Sequence, residues 1–373
     1  MTAPTAPTAA ERTFQGVRRP DGAIGVRDNV LVLPSVICSH IVADRIAANV
    51  EGAVSTPHDH GCAQLGADND QTWRTFLSLA ANPNVAGTVV VGLGCEEIQS
   101  EDVAEALQSR DVPVRELSIQ GVGGTDECVR RGVGFASELA AARSDEAATA
   151  GLGDLTLGLV SSDLDATTRE VADPLVGEVA RAVVDAGGRV VVAGNERVTA
   201  HPAAARAATV GDARDSLAAL LDRHDGHPPR ASGVGRAARD RSFEDATRSW
   251  GGLDVSAVVP YGDPVGIDEG LALVDAPSRF AEATTGLAAA GANVVLHATG
   301  DGVLTGHPLV PVVKMTGDEG TVAALPNDID VDATAADADD VLDRLVDVAN
   351  GRECCAEAHG LTEFAITRVG PSM

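Results

Sequence analysis

Leu31-Val32-Leu33-Pro34-Ser35-Val36-Ile37-Cys38 is a near-continuous apolar run, and two further runs repeat its design. They are Gly87–Glu96 (GTVVVGLGCE) and Val112–Gln120 (VPVRELSIQ). The first, near-continuous run predicts a strand covered on both faces, and the other two read as strands as well. Each ends on a reactive or polar side chain: Cys38, Cys95 with Glu96, and Gln120. Helical spacing over His40–Asn49, Asp70–Ala80, Ser100–Arg110 and from Gly124 to about Ala142 separates them, with a short strand near Ala53–Ser55. A βα series of this kind implies a mainly parallel sheet. Ligands of open α/β sheets bind beyond the carboxyl ends of the strands. The three strand ends and the nearby cluster His58-Asp59-His60-Gly61-Cys62 are therefore expected to share one polar pocket.

A second α/β series follows. Its expected strands are 156–161, 189–194, 256–261, 293–299 and 310–315, and its expected helices 171–185, 202–223, 279–290 and 338–348. The fold class expected is α/β, with two Rossmann-like lobes at 14–147 and 148–373 behind a disordered tail at 1–13. Arg143–Gly153 reads as a linker and Gly226–Arg241 as a long irregular loop. Asp328-Ile329-Asp330-Val331-Asp332 reads as a solvated acidic face, with cation binding as the alternative.

The 373 residues carry 55 acidic and 28 basic side chains, a net charge of −27. Lys314 is the sole lysine, and aromatic residues make up 2%. Such a surface resembles that of proteins from salt-accumulating halophiles, because self-repulsion at this charge calls for screening. It argues against nucleic-acid partners and anionic membranes. No run approaches the ~18 apolar residues of a membrane span, and the N-terminus lacks the apolar core of a secretory signal. Six cysteines without a CxxC pair suit a reducing cytoplasm rather than a disulfide framework or a structural zinc site.

Imidazole and thiolate in the 58–62 cluster suit a borderline metal such as Fe(II), Mn(II) or Zn(II). A polar surface loop is the alternative reading. Gly92-Leu93-Gly94 before Cys95 would let backbone approach a ligand. Gly121-Val122-Gly123-Gly124-Thr125 and Gly300-Asp301-Gly302 are glycine-rich loops after strands, but neither completes a dinucleotide or Walker motif. They suit a carboxylate or hydroxyl held by backbone N–H groups. His297 and His307 flank the second loop.

Read together, these motifs resemble the altronate/galactarate dehydratase (UxaA-type) family, which includes the large subunit of sulfolactate sulfo-lyase. The similarity runs from about Phe14 to Val369. It is carried by Phe14–Arg27, Ser35–Ser39 (SVICS), His58–Cys62 (HDHGC), Pro83–Gly87, Val90–Glu96 (VVGLGCE), and Ile119-Gln120 with Gly123-Gly124-Thr125. Later come Thr299–Gly302 through Gly306, Pro308, Pro311 and Lys314, then Asp328–Asp330 and Glu363-Phe364. The resemblance implies dehydration of a sugar acid such as altronate or galactarate to a 2-keto-3-deoxy acid, with Fe(II), or else Mn(II), as cofactor. His58, Cys62 and Cys95 are then the expected metal residues, and His60 and Lys314 the expected acid/base groups. Cys38, Glu96, Gln120, Gly123, Gly124, Thr125, Gly300 and Gly302 are the expected substrate contacts. Many members carry a small N-terminal SAF domain, which this sequence does not show, so a separate small subunit is the expected partner. A homo-oligomer is compatible with the sequence.

The middle of the chain departs from the family. Its "GGSDxxSGxxANP" survives only as Ser161-Ser162-Asp163-Leu164-Asp165 through Ala172-Asp173-Pro174. Its "PSPGNKAGG" loop is replaced by Ser232–Arg236 on to Gly251-Gly252, and Asp28 stands where Asn is usual. Two alternatives to the dehydratase therefore stay open: a carbon–sulfur lyase acting on sulfolactate, and a non-catalytic paralogue that binds a sugar acid or a partner subunit.

Overall fold

The computed structural model describes residues 11–62, 64–143, 147–226 and 232–369. The first lobe is a four-stranded parallel sheet. Its strands are β3 (Asn29–Pro34), β4 (Ala53–Ser55), β5 (Val85–Gly92) and β6 (Val114–Ser118), in the order β4-β3-β5-β6. Ahead of it, β1 (Thr13–Arg18) and β2 (Ile24–Gly25) form a small antiparallel sheet with β7 (Ala147–Gly151). The second lobe has seven strands: β8 (Thr156–Ser161), β9 (Arg189–Val192), β10 (Val255–Val259), β11 (Gly270–Val274), β12 (Val294–Ala298), β13 (Val312–Thr316) and β14 (Val331–Asp332). All its pairings are parallel, in the order β10-β11-β9-β8-β12-β13-β14.

Alternation along the strands explains why the apolar runs are continuous. Val30 and Val32 of β3 pack with Val89 and Val91 of β5 against the helices His40–Ala47 and Thr125–Ala141. Leu31, Leu33 and Val90 face the other way. There they share one core with Val191, Ala272, Val274 and Val295 of the second sheet. The helices Ala67–Ala80 and Phe280–Ala289 pack against each other in that layer. The opposite face of the second sheet is covered by Asp173–Asp185 and Ala338–Ala349, among others. Asn82 and Asn84 tie the lobes: Asn82 donates to Ala288 O and Ala292 O, and Asn84 to Asn293 O and Leu309 O.

Four expectations are corrected. The linker contains β7, which pairs with β1 over Thr13↔Gly151 to Val17↔Ala147. The single helix at 202–223 is two, Pro202–Ala207 and Ala213–Gly226, because Thr209 bridges to Val255 between them. The irregular loop holds the helix Gly233–Arg239, whose N-terminus is capped by Ser232 Oγ accepting from Gly235 N at 2.9 Å; residues 227–231 lie outside the described residues. Asp330 is no solvated acid: its side chain is buried, accepting from Lys314 N, Cys355 N and Arg344. Residues 1–10 of the expected tail also lie outside the described residues, while Arg12 is buried on Asp339 and Asp343.

Candidate active site

In the order β4-β3-β5-β6 the chain turns from one side of β3 to the other, so the crevice opens between the carboxyl ends of β3 and β5. The loops leaving those ends carry Cys38 and Cys95. Cys38 does not end the strand as expected. Pairing stops at Pro34, and Cys38 sits in the tight turn Ile37–Ser39. Glu96 holds the rim together. Its Oε1 accepts from Ser35 Oγ at 2.9 Å and Leu93 N at 3.1 Å, and its Oε2 from Gly94 N at 2.6 Å and Cys95 N at 2.8 Å. Burial pushes this carboxyl up, but the backbone N–H and Ser35 donors outweigh it and hold it below the usual range. Glu96 is therefore committed to the loop and does not present a free carboxylate.

The 58–62 loop is laced to the same rim. Ile37 N donates to His60 O, and Glu97 N to Gly61 O. Gly61 has φ +92°, and a Cβ there would lie 2.3 Å from Ser35 O, so only glycine allows this approach. His58 is buried with both ring nitrogens engaged: Nε2 donates to Pro34 O at 2.7 Å and Nδ1 accepts from His60 N at 3.1 Å. Burial lowers its pKa to about 4, against the opposing Pro34 bond, so the ring is neutral. Burial also lowers His60, against the pull of Asp59. Its Nε2 donates to Ile366 O at 3.0 Å, and its Nδ1 accepts from Gln64 Nε2 at 2.5 Å. Cys38, Cys62 and Cys95 are free thiols exposed on this rim.

This arrangement does not fit the implied metal. Neither His58 nitrogen keeps a free lone pair, and among the described residues no three His, Cys, Asp or Glu side chains group to hold an ion. As folded, the two imidazoles of the motif serve the loop rather than an ion.

Gln120 closes the other side, its amide packed where a Cβ on Gly94 (φ +113°) would meet Oε1 at 3.1 Å. Gly123 and Gly124 adopt φ +93° and +126° in open space before the helix Thr125–Ala141. Asp126 and Glu127 occupy its first turn, so this end repels an anion rather than attracting one.

Gly300 and Gly302 follow β12, at the crevice of the second sheet between β8 and β12 where its strand order reverses, and Lys314 lies on the neighbouring strand β13. Gly300 N donates to Asp163 Oδ2 at 2.7 Å. Gly302 has φ +69°, and a Cβ there would lie 2.5 Å from Leu325. Lys314 is fully buried beneath this loop, its ammonium on Leu304 O at 2.5 Å. Burial lowers its pKa, opposed by nearby Asp330. Its register partner is His297, whose Nε2 meets Ser162 Oγ at 3.0 Å.

The C-terminal segment joins the two groups. The ring of Phe364 lies 6.5 Å from that of His58 and 5.6 Å from that of His307. Ile366 O receives His60, and Arg368 pairs with Asp59 at 2.7 Å. The same segment walls a cavity of about 340 Å³ whose lining includes Asn195, His224, Ser232 and Asp275. Sequence reading missed these residues. The available signal was Asp275 directly after the apolar run Leu271–Val274, the same strand-end pattern that singled out Cys38 and Cys95.

Residues 16–144 match the family described as D-galactarate dehydratase/altronate hydrolase, second domain, and residues 245–372 match D-galactarate/altronate dehydratase, C-terminal. The chain is similar to (2R)-sulfolactate sulfo-lyase subunit beta of Chromohalobacter salexigens, 30% identical, with 96% of this chain and 98% of that protein covered. It is also similar to altronate dehydratase of Bacillus subtilis, 29% identical, with 97% of this chain and 79% of that protein covered. Altronate dehydratase of Escherichia coli is 28% identical, with 98% and 79% covered.

Proposed function

The chain belongs to the D-galactarate/altronate dehydratase family, and from that premise we propose that it is a hydro-lyase acting on a sugar acid. The reaction removes the proton α to the carboxylate and expels the β-hydroxyl as water. The enol left behind tautomerises to a 2-keto-3-deoxy acid. The observation that carries the reading is the rim between β3 and β5. Cys38, Cys62 and Cys95 are exposed there on loops locked to one another by Glu96, Gly61 and His58. Such locking preorganises a site for charge that develops in the transition state.

Cleavage of sulfolactate to release sulfite is the second reading. It is favoured by the near-complete coverage of the sulfo-lyase subunit. That relative is named as a subunit, which supports a separate small partner for this chain too. Ile37 and Ile41, exposed beside Cys38, offer apolar surface for it.

The test is an anaerobic assay at high salt, with Fe(II) or Mn(II) supplied and the candidate small subunit present. Altronate, galactarate and sulfolactate are the substrates. The proposal expects a 2-keto-3-deoxy acid from a sugar acid. Sulfite from sulfolactate, with every sugar acid unchanged, would move the chain to the second reading.

A further inference from the structure

Of the six cysteines, Cys38, Cys62 and Cys95 are exposed, and all three stand on the rim of the first lobe. Cys128 and Cys354 are buried, and Cys355 is half-buried. Exposed thiols are the ones open to oxidation and to metals, so three on one rim mark a use rather than packing. Their placement follows from the sheet order. Strands β4, β3 and β5 are adjacent and parallel, and the loop leaving the carboxyl end of each carries one cysteine. Cys62 follows β4, Cys38 follows β3 and Cys95 follows β5.

Hydrogen bonds draw the three loops together close to these residues. Ile37 N, beside Cys38, donates at 2.8 Å to the carbonyl of His60, which lies in the loop of Cys62. Glu97 N, in the loop of Cys95, donates at 3.3 Å to the carbonyl of Gly61, beside Cys62. Ser35 Oγ and Cys95 N both donate to the carboxylate of Glu96, which joins the loops of Cys38 and Cys95. Each pair of loops is thus bonded within a few residues of both its cysteines. All these bonds are made inside the protein, so the frame that presents the thiols is preformed.

Ligand chemistry narrows what the frame can hold. The ring nitrogens of His58 and His60 are all engaged within the protein, and Glu96 is spent on the loop. Thiolates remain, and a soft thiolate set selects iron–sulfur clusters, zinc or Cu(I). Sulfurs that share one ion at about 2.3 Å stand only about 4 Å apart. Among the described residues no three such side chains group to hold a single ion. Three adjacent strands span about 10 Å, at ~4.8 Å per spacing. An iron–sulfur cube takes each thiolate on a different iron, so it suits thiols delivered from a row of strands.

We propose that Cys38, Cys62 and Cys95 hold a four-iron, four-sulfide cluster at the crevice between β3 and β5, one thiolate on each of three irons. The cluster stands in place of the single Fe(II) that the 58–62 imidazoles do not fit. Three protein ligands leave the fourth iron open to an oxygen of a small molecule. That this molecule is the substrate rests on the dehydratase reading; the cluster itself rests on the placement of the thiols.

The test is anaerobic reconstitution of the full chain with ferrous iron, sulfide and a thiol reductant, followed by desalting. Iron, acid-labile sulfide and the broad visible absorption of sulfide-to-iron charge transfer are then measured. Wild type, Cys38→Ser, Cys62→Ser, Cys95→Ser, the triple variant and the control Cys355→Ser are compared, with circular dichroism confirming that each is folded. The three rim thiols are exposed, so their replacement by serine leaves the core intact. Wild type and Cys355→Ser are expected to hold iron and sulfide in equal amounts, about four of each per chain. Each single rim variant should lose at least about threefold of that content, and the triple variant all of it. Iron bound without sulfide at about one per chain overturns the inference, as does a wild type that takes up neither, or a triple variant that keeps the cluster. Dehydration of a sugar acid by protein free of iron and sulfide would sink the inference and leave the dehydratase reading standing. A cluster that depends on the three cysteines, in a protein that turns over no sugar acid, would do the reverse.

Discussion

His58 Nε2 donates to the carbonyl of Pro34, the last residue of β3, at 2.7 Å. A loop from beyond β4 is thereby pinned to the end of the strand at the lobe's crevice. Because the ring is buried and neutral, this pin is sensitive to acid. With its folded pKa lowered to about 4 from 6.5, the stability it contributes is fully present above pH 6.5 and is lost as pH falls toward 4. His297 and His307, both lowered to about 3 by burial, extend the loss further down. Each unit of separation is worth about 1.4 kcal/mol. Urea unfolding at a series of pH values should show stability falling below pH 6.5, with a shallower fall between pH 6.5 and 4 in His58→Gln. Parallel curves for the two proteins would show that His58 titrates normally in the folded state.

Glu96→Gln keeps the shape of the side chain but turns one acceptor oxygen into a donor facing N–H groups. The loop at 93–96 then loses its bonds to Gly94 N and Cys95 N. A cost of about 2–3 kcal/mol is expected for the lost charged acceptor. Alkylation of Cys95 by iodoacetamide, followed by mass spectrometry, should be faster in the variant. An unchanged rate and stability would mean that the rim does not depend on this carboxylate.

Gly61→Ala is expected to destabilise the protein by about 1–3 kcal/mol, because the position needs a left-handed backbone and Ser35 O leaves no room for a Cβ. Gly123→Ala serves as the comparison: it has similar φ but open space around it, so the penalty should be smaller. Equal thermal shifts for the two would remove the close approach as the cause.

The parts of the fold that were legible are those whose cause is local. Val30–Leu33 and Val89–Val91 are buried on both faces, and a continuous apolar run reports that directly. The parts that were not legible depend on distant partners. Ala147–Gly151 has almost no apolar signal and becomes a strand because β1, some 130 residues earlier, offers it a ladder. Gly270–Val274 is short and follows a turn-rich stretch, so its strand, and Asp275 at its end, went unseen. The same holds at the site. The motif at 58–62 could be read from sequence, but not that His58 would use both nitrogens inside the protein, since its partners are backbone atoms of Pro34 and His60. Lys314 stood out as the sole lysine, but its complete burial follows from a loop that covers it.

A net charge of −27 with only 28 basic residues to offset it leaves strong self-repulsion in the folded state. Salt shortens the Debye length from ~10 Å at 0.1 M to ~3 Å at 1 M. The melting temperature should therefore rise steadily from 0.1 M to 1 M NaCl, and a salt-independent melting temperature would contradict the screening argument.

The central claim is that this chain dehydrates a sugar acid, and its most direct test is proton NMR of D-altronate incubated with the protein and the candidate small subunit, with and without a divalent metal, in D2O at high salt. The claim predicts loss of the C2 and C3 proton signals of altronate and the growth of a 2-keto-3-deoxy acid whose C3 methylene carries deuterium from solvent. Unchanged altronate resonances, in a sample that releases sulfite from sulfolactate, would contradict it.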